Sequence, residues 1–192
     1  MRKNFGAKPY MYPLPVLIIG TYSEDGVEDA MNAAWGGIAD YKKIALYLSG
    51  EHKTVKNILQ RKAFSVSMAD VEHVVAADYV GIVSAYQVPN KFKNAGFHAI
   101  KSEYVDAPII EELPLTLECQ FISFDEESEL LVGEIVNVSA DERILDEKGS
   151  IDVKRLNPIC FDAVHNTYLK IGEKVGNAFC DGKVIQEGVD GD

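Results

Sequence analysis

The 192-residue chain carries 47% hydrophobic and 26% charged side chains, a balance that supports a packed core and excludes a disordered polymer. Its 19 basic residues against 30 acidic ones leave a formal charge of −11. Such a field repels nucleic acid and anionic membrane surfaces at long range, so any anionic ligand must be held by a local concentration of donors.

In chain order, the basic N-terminus leads into an apolar run at Leu14–Ile19, which Pro15 interrupts and Gly20 ends. The run is too short to span a membrane and lacks a cleavage site of small residues, so neither a membrane anchor nor a signal peptide is expected. Val16–Tyr22 is rich in β-branched side chains and predicts a strand. Asp25-Gly26 then marks a hairpin turn, because Gly accepts the positive φ that a tight turn needs. The return segment, Ala30–Ile38, is rich in small residues, and Gly36-Gly37 predicts a bulge or a close backbone approach.

Ile44–Ser49 reads as a third strand. Thr54–Arg61 places Val55, Ile58 and Leu59 at helical spacing, with Thr54 in the N-cap position. Phe64–Met68 alternates with period two, as a strand does, and Val71–Ala85 fits either a helix or an extended segment. Pro89–Phe97 predicts a loop with a helical turn. Leu115–Phe124 and Glu129–Val138, joined by the acidic turn 125–128, form the clearest antiparallel pair. An acidic loop at 141–150, the segment LNPICFDAVHNTYLKIG and a Gly/Asp-rich tail complete the chain. The length and the absence of a linker predict a single domain over 1–192. A closed or nearly closed antiparallel β-barrel with a few helices is the economical arrangement, since closure removes exposed strand edges.

Three clusters could serve a ligand. Ser49-Gly50-Glu51-His52-Lys53-Thr54 sets hydroxyls, a histidine and a lysine at a helix start, where unpaired N–H groups and the helix dipole favour a phosphate. An ordinary capped helix with solvated charges has the same pattern. Asn32-Ala33-Ala34-Trp35-Gly36-Gly37 leaves backbone amides uncovered beside the one tryptophan, which suits a flat heteroaromatic ring or, equally, a core anchor followed by a bulge. Pro89-Asn90-Lys91-Phe92 offers a lysine and an aromatic ring, a weak signal alone.

Other chemistries find no support. No G-x-G-x-x-G, G-x-x-x-x-G-K-[ST] or G-x-S-x-G pattern occurs, which disfavours a Rossmann site, a P-loop and an α/β-hydrolase. The three cysteines, Cys119, Cys160 and Cys180, are far apart without a CxxC, and the four histidines lack metal-binding spacing. Buried thiols in a reducing cytoplasm are expected, with no metal. A Cys119/His165/Asp162 triad has no spacing that brings it together.

Taken in order, PLPVLIIGTYSEDGVEDAMNAAWGG, LYLSGEHKTVKNI, FSVSM, GIVSAYQVPNKF, PLTLECQF, GEIVNV and NPICFDAVHNTYLKIGEKVG resemble the flavin reductase-like family of FMN-binding split barrels, in particular its flavoredoxin-type branch. The resemblance runs from about Pro13 to Gly176, leaving 177–192 as a tail. It implies a mainly β fold, an antiparallel six-stranded split β-barrel with flanking helices, and FMN held at or near a homodimer interface. By the same resemblance Asn32, Ala33, Ala34 and Trp35 would line the isoalloxazine, while Ser49, His52, Lys53 and Thr54 would bind the phosphate. Lys91 would stand for the lysine of the family's Asp-Lys-Phe element, and Tyr168 would approach the flavin from the C-terminal region. The chain departs from the family pattern at Ser84-Ala85, at Asn90-Lys91-Phe92 and at Tyr41-Lys42-Lys43.

The implied function is an NAD(P)H-dependent flavin reductase-like oxidoreductase, in which FMN accepts a hydride at N5 from reduced nicotinamide and passes electrons to an acceptor. No catalytic side chain is required for that step. Two other readings stay open: a flavoredoxin-type electron carrier reduced by a protein partner, and a flavin-binding barrel without turnover.

Overall fold

In the computed structural model, which describes residues 1–185, the apolar run after Pro13 divides into two short strands, Leu14–Pro15 (β1) and Leu17–Tyr22 (β2). Alternate side chains of a strand point to opposite faces. Leu17 and Ile19 accordingly enter one hydrophobic cluster, whereas Val16 and Ile18 enter another. Burial on both faces is why this segment reads as continuous apolar sequence.

The predicted hairpin forms. β2 pairs antiparallel with Glu28–Ala33 (β3) across a turn in which Gly26 adopts φ +81°. Only Ala34 and Trp35 separate β3 from Gly36–Asp40 (β4), which pairs with Lys43–Tyr47 (β5). A Cβ on Gly36 would lie 2.5 Å from Leu46 Cδ2 and 2.8 Å from the Ala45 carbonyl oxygen, so the close backbone approach requires glycine there.

A helix, Lys53–Arg61 (α1), follows, then Ala63–Met68 (β6) and a second helix, Val74–Ile82 (α2). Lys91–Asn94 (α3) forms the single helical turn predicted for that loop. A short hairpin without a sequence signal, Ala99–Lys101 (β7) and Pro108–Ile110 (β8), precedes the long pair Leu115–Asp125 (β9) and Leu130–Ala140 (β10). A 3₁₀ turn at Glu142–Ile144, the short helix Val153–Leu156 (α4) and the strands Ile159–Asp162 (β11) and Thr167–Lys170 (β12) complete the elements. Part of the Gly/Asp tail, residues 186–192, lies outside the described residues.

The main sheet runs β3-β2-β6-β9-β10-β5-β4, antiparallel throughout. Its two edge strands, β3 and β4, are consecutive in sequence. Three residue steps span no more than about 11 Å, so the sheet must curl until its edges nearly meet. Counted as one interrupted strand, β3 and β4 give the expected six-stranded split barrel; counted by hydrogen bonding, the sheet has seven. Two register shifts in β9–β10, after Val132 and after Ile135, supply curvature. A separate sheet, β1-β11-β12, holds the C-terminal hairpin.

Leu17, Ile19, Ile44, Leu46, Val55, Ile58, Phe64, Val66 and Leu131 fill one side of the curled sheet. The second cluster packs α2, Phe92 and Phe97 of the α3 region, and Ile110 against Val16 and Ile18. Alternation in β6 would suggest a wet face at Ser65 and Ser67, yet both are fully buried. The Ser65 hydroxyl donates to the Pro108 carbonyl at 2.5 Å, and Ser67 shares a 2.8 Å bond with Thr116. Among the described residues, no helix is long and apolar enough to cross a membrane.

Candidate functional site

The start of α1 differs by a residue or two from the sequence expectation. His52 is the N-cap residue, with extended backbone (φ −68°, ψ 137°), and Thr54 lies inside the first turn. No side chain caps the helix. The Lys56 N–H bonds to the His52 carbonyl at 3.2 Å, which leaves the N–H groups of residues 53–55 without intrahelical acceptors. Uncapped amides, the positive end of the helix dipole and the Lys53 ammonium together form a local positive site in an acidic protein.

These residues line a cavity of about 230 Å³, bounded by Met31 and Asn32 of β3, by 51–54, by 80–85 at the end of α2, and by Lys91. Five predicted residues therefore meet around one space: Asn32, His52, Lys53, Thr54 and Lys91. The Asn32 side chain donates from Nδ2 to the Ala77 carbonyl at 2.9 Å, tying β3 to α2. Gly81 permits this approach, since a Cβ there would sit 3.0 Å from Asn32 Cβ.

Two of these residues are arranged differently from their sequence reading. Thr54 is buried, and its hydroxyl donates to Asp29 Oδ2 at 2.8 Å, so its hydroxyl proton is committed inward and its N–H is what remains for a ligand. Lys91 is not a solvated lysine: it is 3% exposed, 3.3 Å from Asp29 Oδ1, and donates to the Val83 carbonyl at 3.1 Å. It thus closes the C-terminal end of α2, where a cation is electrostatically favoured.

The other predicted residues lie apart from this cavity. Ala33 is in the core, Ala34 is half-buried, and Trp35 is 57% exposed between the two edge strands, its carbonyl accepting from the Tyr47 N–H at 2.9 Å. Ser49 is half-buried just before the helix, its carbonyl accepting from the His52 N–H at 3.1 Å. Tyr168, on β12, packs against Phe161, and its hydroxyl donates to Asp78 Oδ1 at 2.8 Å on α2. Burial, then the Asp78 bond, pushes its hydroxyl up to about 12, with a contact from Asn32 acting the other way.

Sequence reasoning missed Asp29, Gly81 and the wall at 80–85. Asp29 had no local signal, because its partners Thr54 and Lys91 lie 25 and 62 positions away in the chain. The cysteine expectation needs one correction: Cys119 and Cys160 are buried, but Cys180 is exposed.

A family model described as "Flavin reductase like domain" matches residues 10–158. The fold is similar to that of the flavoredoxin of Desulfovibrio vulgaris (Miyazaki F), with 35% identity, 95% of this chain and 100% of that chain covered, and a TM-score of 0.90. It is also similar to a flavoredoxin from Methanosarcina acetivorans, at 25% identity over 96% and 99% of the two chains, with a TM-score of 0.86. In sequence, a protein of Methanothermobacter thermautotrophicus is 30% identical over 161 residues, covering 78% of this chain and 74% of its own length.

Proposed function

The chain belongs to the flavin reductase like domain family, and from that premise we propose that it is an FMN-binding oxidoreductase of the NAD(P)H-dependent flavin reductase type. The observation that carries this reading is the uncapped start of α1, whose first-turn residues share one cavity with Asn32 and Lys91. The residues present fit the group. The N–H groups of residues 53–55, Lys53 and His52 would hold the phosphate, with Ser49 at the approach to the helix. Of the ring-lining residues expected from the sequence, Asn32 would meet the ring directly, while Tyr168 would act through its bond to Asp78 of α2.

When bound, FMN would supply hydride acceptance from a nicotinamide and onward electron delivery. The protein's own residues bind and orient it, and no side chain need move a proton. The cavity is smaller than the roughly 300–1,000 Å³ usual for an organic ligand, which supports a second copy of the chain as the source of a further wall. Exposed Trp35, Ile38, Tyr41 and Tyr47 along β4 and β5, with Val136 and Val138 on β10, offer the apolar surface such a homodimer would bury. A cytoplasmic setting agrees with three cysteines that form no disulfide among the described residues.

A second reading, an electron carrier that accepts electrons from a protein partner, is favoured by the 35% identity to a flavoredoxin and by the charge of −11, which suits a basic redox partner. The visible spectrum of purified or FMN-reconstituted protein tests the flavin site; a colourless chain that FMN cannot reconstitute rejects it. NADH and NADPH oxidation with FMN present then separates the readings, because the carrier oxidises neither without a partner.

A further inference from the structure

Asp29 is 2% exposed on β3, and its Oδ1 is buried without a hydrogen-bond donor. Its other oxygen, Oδ2, accepts from the Thr54 hydroxyl at 2.8 Å. A buried carboxylate oxygen without a donor is costly unless a cation faces it, and the Lys91 ammonium does so at 3.3 Å. That ammonium spends two donors elsewhere, on the Val83 carbonyl at 3.1 Å and the Val80 carbonyl at 3.4 Å. The remaining donor makes no hydrogen bond to Oδ1, so the contact with Asp29 is ionic. Beneath the same patch, Asn57 Nδ2 donates to Thr21 Oγ1 at 3.0 Å, and Thr21 stands opposite Asp29 in the β2–β3 ladder. The carboxylate thus sits where α1, α2, α3 and β3 converge, directly behind a lysine that lines the cavity.

We infer that Asp29 is a positioning residue: its carboxylate fixes the Lys91 ammonium in the cavity wall and offsets the charge that a bound FMN would feel. The inference rests on the proposed flavin site. The charged or titratable groups on the remaining walls are Glu51, His52 and Lys53, while the end of α2 presents backbone carbonyls to Lys91. Replacing Asp29 by its neutral isostere leaves the lysine charge uncompensated, which favours negative charge on the ring and raises the flavin potential. Replacing Lys91 by Met leaves the carboxylate uncompensated and lowers it. A purely structural role would not give shifts of opposite sign.

The test is the midpoint potential of FMN in the full chain for wild type, Asp29→Asn, Lys91→Met and the double variant. The expected result is a positive shift, a negative shift and a return towards the wild-type value, respectively. Shifts of the same sign, or an unchanged potential in Asp29→Asn with FMN still bound, overturn the inference and leave the flavin site standing. If Asp29→Asn alone does not fold, Lys91→Met and the double variant decide, since a double variant with the Lys91→Met potential overturns the inference.

A wild-type chain that takes up no FMN rejects the flavin site instead. Positioning of the lysine is then read in the ligand-free protein by reductive methylation and peptide mass spectrometry, with Lys53 as internal reference. Release from Asp29 is expected to speed Lys91 labelling about tenfold or more in Asp29→Asn, as local opening becomes easier. An unchanged labelling rate overturns the inference.

Discussion

The hydroxyl of Tyr168 donates to Asp78 Oδ1 at 2.8 Å across 90 positions of sequence. That bond fastens the C-terminal hairpin, β11–β12, to α2, whose final residues form one wall of the cavity. Removing the hydroxyl in Tyr168→Phe leaves Asp78 without this donor, at a cost of about 1 kcal/mol. Urea denaturation of the two proteins side by side, with the same slope and a lower midpoint for the variant, is the expected result.

The same contact governs alkaline behaviour. Tyr168 is pushed up from its ordinary value of 10 to about 12, first by burial and then by the Asp78 carboxylate. The folded chain therefore holds this proton more tightly than the unfolded chain does. Its contribution is fully present below pH 10 and is lost as the pH rises from 10 to about 12. Thermal unfolding scans should show wild type losing more stability across that window than Tyr168→Phe.

Lys53 and the first-turn amides of α1 are proposed to bind a phosphate, so the Lys53→Ala substitution should discriminate between ligands. FMN affinity is expected to fall about tenfold or more, as for loss of a charge-assisted hydrogen bond. Riboflavin affinity, without the phosphate, should change little. Fluorescence titration with both flavins measures the difference, and equal losses would reject a phosphate at this helix.

Much of the architecture was legible because its signals are local. The Asp25-Gly26 hairpin, the α1 periodicity and the β9–β10 pair each lie within a short window of sequence. The second helix was not legible. VVAADYVGI carries apolar residues on every side, with Ala77 and Val80 buried but Val75 and Ile82 exposed, so no amphipathic stripe distinguishes helix from strand. The candidate site was partly visible in the same way. His52, Lys53 and Thr54 are contiguous, but the burial of Lys91 depends on Asp29 and on helix-end carbonyls that no short window contains.

Thiol chemistry should separate the three cysteines. Burial, and after it the charge of Glu118, pushes Cys119 up to about 12, which keeps it a protonated and unreactive thiol at neutral pH. Cys160 is also buried, and Cys180 is exposed. Titration of the native protein with a chromogenic disulfide should modify Cys180 rapidly, with Cys119 and Cys160 reacting only after denaturation. Rapid modification of Cys119 would contradict its buried place on β9, opposite Phe64 of β6.

The two-residue joint at Ala34-Trp35 leaves the barrel no slack along its seam. An added amino acid there must either loop outwards or peel an edge strand from its neighbour, whereas the solvent-facing tip at 126–129 can absorb extra length. Divergence among such chains should therefore lengthen the β9–β10 tip freely while holding the spacing between positions 33 and 36 constant.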